Sequence, residues 1–179
     1  MNIANYATFL RVLLVPLVLL ILFSDWPYQE WIAAGLVLFA WFTDFVDGIL
    51  ARRTDSVSSF GIYLDAAADK AFVLCVLFGL AQLGILPFWI PCTILVRDLI
   101  INSLRSFASA EGVIMSARWW GKVKTTLTFP ATAGLILKIP GAYPLMLIAT
   151  LVSVLSGILY VYDNRQLLAT AWKGSPAKP

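Results

Sequence analysis

The sequence predicts an all-α integral membrane protein with six transmembrane helices, and three observations carry that prediction. Of the 179 residues, 60% are hydrophobic and only 13% charged, with a mean hydropathy of +0.85; a soluble domain carries about 25% charged residues. The apolar residues fall into runs close to the ~20 residues that span a bilayer. Pro, Gly and short polar stretches punctuate the runs at regular intervals.

The runs place helices over 6–23, 30–52, 60–84, 87–110, 122–138 and 142–163, all within one domain, 1–179. The first has a weakly charged front and no clear cleavage signature, so it reads as a retained helix rather than a removed signal peptide. It ends at Ser24-Asp25-Trp26-Pro27. The second and third are separated by a polar loop from Arg52 to Ser59, and the third and fourth by Gly84 to Pro87. The stretch Glu111 to Gly121 precedes the fifth, and Ile139-Pro140-Gly141 divides it from the sixth. Pro16, Pro91, Pro130 and Pro144 fall near or inside spans, where membrane helices tolerate them. The tail, 173–179, is expected to be disordered.

Charge sets the orientation. One side carries Arg52, Arg53, Arg118, Lys122, Lys124, Arg165, Lys173 and Lys178; the other carries Lys138 with the acids Asp25 and Glu30. The positive-inside rule puts both termini and the 52–60 and 111–121 loops in the cytoplasm, with the chain in a bacterial-type cell membrane. The net charge of +3 is spread along the chain and flanks apolar runs, which argues against a nucleic-acid partner. Seven Trp and six Tyr suit interfacial belts. Cys75 and Cys92 lie in apolar surroundings and read as packing residues. There is no His, which excludes Ser-His-Asp hydrolysis and His-ligated metal. Any metal must be held by oxygen, as Mg²⁺, Mn²⁺ or Ca²⁺ are.

Four carboxylates stand out. A charge at bilayer depth costs at least ~2.5–3.5 kcal/mol, so acids in such a chain are functional suspects. With helical residues advancing about 100° each, Asp44, Asp47, Gly48 and Ala51 share one face. On the next helix Gly61, Asp65 and Asp69 recur every fourth residue and share another. The short connection makes the helices antiparallel neighbours, so the acids converge on a cytoplasmic cleft. Like charges so placed need cations or protons, and two divalent ions of the kind that clamp a transferring phosphoryl group satisfy the arithmetic. Gly48, Ala51 and Gly61 let a nucleotide diphosphate approach the backbone, and Arg52 neutralises phosphate or pairs with an acid. The bland alternative, solvated helix ends, suits one Asp pair better than four acids in register with three small residues.

The pattern D-x2-D-G-x2-A-R-x8-G-x3-D-x3-D, complete from Asp44 to Asp69, resembles the signature of the CDP-alcohol phosphotransferase family, membrane enzymes of phospholipid synthesis. Three further stretches resemble its phosphatidylglycerophosphate synthase branch: Asn2 to Arg11 is similar to N-x-x-N-x-x-T-x-x-R, Arg97 to Arg105 to R-E-x5-L-R, and Gly121 to Thr125 to G-K-x-K-T. Two positions depart: Asp98 stands where that branch has Glu, and Ala66 where Pro is common. The resemblance implies six transmembrane helices in the CDP-alcohol phosphotransferase fold, a homodimer and a divalent-metal site, Mg²⁺ or Mn²⁺, at the cytoplasmic surface. It implies Asp44, Asp47, Asp65 and Asp69 as metal ligands, Asp69 also as general base, and Gly48, Ala51, Arg52 and Gly61 as the CDP site. Asn5, Thr8 and Arg11 share one face of the first helix; polar residues there suit the headgroup interface, and the resemblance offers a place beside the nucleotide.

The expected reaction moves the phosphatidyl group of CDP-diacylglycerol to an acceptor hydroxyl, releasing CMP. With neither His nor a suitably placed Cys, direct displacement is favoured over a covalent intermediate, an Asp nucleophile being the competing route. Arg97, Arg105, Lys122 and Lys124 remain after the Asp site is assigned, which points to an anionic acceptor, glycerol 3-phosphate. The plain readings are an ion pair with Asp98 for either arginine and contacts with anionic lipid for the lysines. Lys70 balances the acids. Other acceptors (inositol phosphate, serine, phosphatidylglycerol) stay within the family, and a divalent-cation transporter is the reading from another class.

Overall fold

The computed structural model describes residues 3–50, 59–110 and 119–165, with side chains over 9–43, 67–108 and 123–165. Every regular element among the described residues is an α-helix: α1 Ile3–Leu22, α2 Gln29–Leu50, α3 Ser59–Gln82, α4 Trp89–Ala110, α5 Trp119–Ile136 and α6 Ala142–Asp163. These coincide with the six predicted runs, the ends moving by up to three residues. Ala51, Arg52 and the chain beyond Arg165, including the expected disordered tail, lie outside the described residues.

The shifted ends have local causes. α3 stops at Gln82 because Gly84 turns left-handed at φ 72°, and Ile85 N–H donates to Leu80 O while Gly84 N–H donates to Ala81 O. α5 ends in the same way, with Lys138 at φ 54°, Ile139 N–H on Gly134 O and Lys138 N–H on Leu135 O. Both are Schellman caps, which satisfy the last carbonyls of a helix. Pro91 and Pro144 sit in the first turns of α4 and α6, where no intrahelical N–H is lost. Pro16 and Pro130 are truly internal.

α1 packs on α2 and α3, α5 on α2 and α6, and α4 on α6 and α3. Val18, Phe72, Val76, Leu77, Leu80, Ile90, Ile94, Ile136 and Met146 form the centre, with Phe72 and Phe129 stacked 6.4 Å apart. At one end of the bundle Lys138 Nζ reaches Glu30 Oε1 at 2.6 Å, which ties the C-terminus of α5 to the N-terminus of α2.

The distribution of polarity is that of a protein dissolved in hydrocarbon. α6 buries Thr150, Ser153, Ser156 and Gly157 and exposes Ile148, Leu151, Leu155, Ile158 and Leu159. α1 buries Arg11 and exposes Phe9, Leu13, Leu17 and Leu20. A contiguous apolar exterior of this kind marks a membrane surface, and small inward residues let membrane helices approach closely. Among the described residues α6 is long and apolar enough to cross a membrane, and α1 contributes a shorter apolar stretch, Phe9–Leu22.

The α5–α6 hairpin is closed most tightly at Gly134, where an added Cβ would lie 2.9 Å from the Ala142 Cβ. Gly134→Val is expected to destabilise the protein by about 1–3 kcal/mol through overpacking, read as a lowered thermal midpoint in detergent.

Candidate active site

The expected acids fall at the C-terminal end of α2 and the N-terminal end of α3, which follow one another along the chain. Asp44, Asp47 and Gly48 occupy the last two turns of α2, and Gly61, Asp65 and Asp69 the first three turns of α3. The backbone is helical through both sets, so the spacing that aligned them in sequence applies in the fold. The side chains of Asp44, Asp47, Asp65, Asn5, Thr8 and Lys122, like Gly48 and Gly61, are outside those described, as are Ala51 and Arg52 altogether. Among the described residues no three potential ligands gather round a point; Asp69 is the member of the acidic set whose side chain is described. The donor set is all carboxylate oxygen, which fits a hard divalent ion.

Asp69 is half-buried, and its Oδ1 lies 2.6 Å from the Nη1 of Arg11 on α1. Arg11 is 1% exposed. This corrects the headgroup-interface reading of Arg11: its guanidinium turns inward, where hydrocarbon around the bundle leaves a carboxylate as its best partner. The pair fixes α1 against α3 beside the acidic cluster.

A second charged centre lies one helix away. Asp98 on α4 is 4% exposed. Lys124 on α5 donates to both its oxygens at 2.6 Å, and Arg97 donates to Oδ1 at 2.8 Å. Arg97 also donates to the Ser153 carbonyl at 3.1 Å and the Ser156 hydroxyl at 2.9 Å, both on α6. Gly157 permits this, since a Cβ there would meet Arg97 Cγ at 3.0 Å. Lys70, the residue after Asp69, donates to Asn102 one turn beyond Asp98 and lies within electrostatic range of Asp98, Arg105 and Arg97. Arg105 places its guanidinium over the Tyr160 ring, 5.9 Å from the centroid.

The structure therefore gathers two of the four expected acceptor cations, Arg97 and Lys124, on Asp98 and adds Lys70 on Asn102 nearby; Arg105 is exposed about two turns further along α4, against Tyr160. The ion pair named as the plain reading of Arg97 is present. The lipid-contact reading of Lys124 is corrected, because that side chain is 12% exposed and held by Asp98. Arg97 also lines a groove of about 840 Å³ between α4 and α6, walled by Trp89, Val96, Ile100, Ile158 and Val161.

Comparison with known proteins decides the family. The CDP-alcohol phosphatidyltransferase family model matches residues 1–159. The chain belongs to that family. Its members are membrane-associated and use divalent metals. A protein of Mycobacterium tuberculosis named "Probable phosphatidylglycerophosphate synthase" is 38% identical over 89% of this chain and 80% of its own length. Proteins named "CDP-diacylglycerol--glycerol-3-phosphate 3-phosphatidyltransferase" are similar as well. That of Bacillus subtilis is 30% identical over 95% of this chain and 98% of its own, and that of Yersinia enterocolitica 32% identical over 97% and 96%. The family match covers the whole acidic signature and every charged residue of both centres.

Sequence reasoning missed the pairing of Arg11 with Asp69 and the contact of Lys70 with Asn102. An arginine five residues into the first apolar run signalled the first, since hydrocarbon demands a partner for it. Nothing in the sequence identified which acid. Arg11→Ala is expected to lower thermal stability by about 2–3 kcal/mol by leaving Asp69 without this counter-charge, and Arg11→Lys to recover part of that loss. Thermal melts of both variants in detergent check this.

Proposed function

We propose that this protein transfers the phosphatidyl group of CDP-diacylglycerol to glycerol 3-phosphate, giving phosphatidylglycerophosphate and CMP. The observation that carries the reading is the family match over residues 1–159 with the intact Asp44–Asp69 signature, joined to relatives named for this reaction along nearly their full length. On this reading all six helices cross the membrane, both termini and the site face the cytoplasm, and the protein works as a homodimer.

Asp44, Asp47, Asp65 and Asp69 hold the divalent metal, Mg²⁺ or Mn²⁺. When bound, the metal supplies positive charge against the diphosphate and the developing charge of the transition state. Gly48, Ala51 and Gly61 give the nucleotide access to the backbone, with Arg52, Asn5 and Thr8 beside it. The acyl chains remain in the bilayer. Asp69 takes the proton of the acceptor hydroxyl, whose oxygen attacks the phosphorus bearing diacylglycerol as CMP departs. Arg11 holds the Asp69 carboxylate at 2.6 Å, which orients it for that role. Lys70 follows directly on Asp69, so the cations around Asp98 begin next to the base. A phosphate held by Lys70, Arg97, Arg105, Lys122 and Lys124 brings the acceptor hydroxyl towards Asp69.

Purified protein with CDP-diacylglycerol, Mg²⁺ or Mn²⁺ and labelled glycerol 3-phosphate is expected to form labelled lipid and CMP. Asp69→Asn should lower the rate by ~10²–10⁴, the usual contribution of a general base; an unchanged rate removes Asp69 from that role. Chelation should abolish turnover and added Mn²⁺ restore it; activity that survives chelation contradicts the metal assignment.

A further inference from the structure

Lys124 and Arg97 are held on Asp98, and Lys70 reaches Asn102 one turn further along α4; all three cations are partly buried in an apolar bundle. Like charges in a low-dielectric interior repel strongly, and that repulsion must be offset for the group to assemble. Asp98 is buried, both its oxygens are engaged, and its partners come from α4 and α5, with Arg97 braced in turn against α6. Three positive charges against one negative, with Asp69 set against Arg11, leave the group with an excess of two. That excess suits a ligand carrying a phosphate dianion and leaves nothing to attract a neutral acceptor.

We infer that Asp98 is a positioning residue for the acceptor: its carboxylate gathers Arg97 and Lys124 at the place where the acceptor phosphate binds, without itself touching that phosphate. This rests on the proposed reaction and deepens it. An acid that only fastened α4 to α5 would not need two cations on one carboxylate, with Arg97 donating two further ways, to Ser153 and Ser156. Replacing the acid by its amide turns an N–H₂ towards Lys124 or Arg97, donor against donor, and the cations separate. The phosphate then meets a dispersed charge.

The test measures both Michaelis constants in native membranes for Asp98→Asn, Asp98→Ser and Asp98→Glu, with thermal melts in parallel. Asp98→Asn and Asp98→Ser should raise KM for glycerol 3-phosphate about tenfold or more and leave KM for CDP-diacylglycerol within twofold. Asp98→Glu, which keeps the charge, should hold KM for glycerol 3-phosphate within about threefold of the unsubstituted protein. An unchanged acceptor KM in the amide variant overturns the inference. So do equal rises in both constants, and so does loss of folded protein in both neutral variants while Asp98→Glu folds, since each assigns Asp98 to stability alone. Failure of the unsubstituted protein to make lipid from glycerol 3-phosphate would instead overturn the reaction.

Discussion

A charge placed in hydrocarbon must have a partner, and this molecule is arranged around that constraint. Burial of an unpaired ion costs several kcal/mol even after relaxation. Arg11, at 1% exposure, therefore meets Asp69, and Asp98, at 4%, meets Arg97 and Lys124. Each pairing joins different helices: the first fastens α1 to α3, the second α4 to α5, and through Arg97 it reaches α6. Apolar packing fills the space between, but it is non-directional and would accept other arrangements. The ion pairs select this one.

On the proposed reaction, the same pairs supply the chemistry. Asp69 belongs to the acidic signature and is braced by Arg11 from one side, while Lys70 next to it leads to the cations around Asp98. On that reading, an acidic centre for metal and a basic centre for phosphate adjoin at α3. A transferase that joins an activated lipid phosphate to a phosphorylated alcohol needs both in one place: the first neutralises the diphosphate and the second retains the acceptor.

Much of this was legible in the sequence because hydrocarbon simplifies the reading. Six apolar runs gave six helices, and α6 was found with both its ends. The C-termini of α3 and α5 moved where cap chemistry decides, at Gly84 and Lys138, since one left-handed residue can stop a helix before its apolar run is exhausted. The acids stood out in the sequence because Asp44, Asp47, Asp65 and Asp69 are expensive in such a chain and spaced by helical turns; of the four, the side chain of Asp69 is the one described. Partner choice was less so. That Arg97 needed an anion was visible; that Lys124, from another helix, would share Asp98 depends on how α4 and α5 pack, and no local pattern encodes it. Arg11 shows the same limit, since helix one gives no sign that Asp69 lies across from it.

The acceptor is the point on which the account stands or falls. The direct measurement offers the purified protein CDP-diacylglycerol with Mg²⁺ or Mn²⁺ and an equimolar mixture of glycerol 3-phosphate, serine, inositol phosphate and phosphatidylglycerol, and follows CMP together with the lipid products. The account predicts one CMP for each phosphatidylglycerophosphate formed, with the other acceptors left unused. Preferential consumption of serine, inositol phosphate or phosphatidylglycerol, or the absence of CMP release, would contradict it.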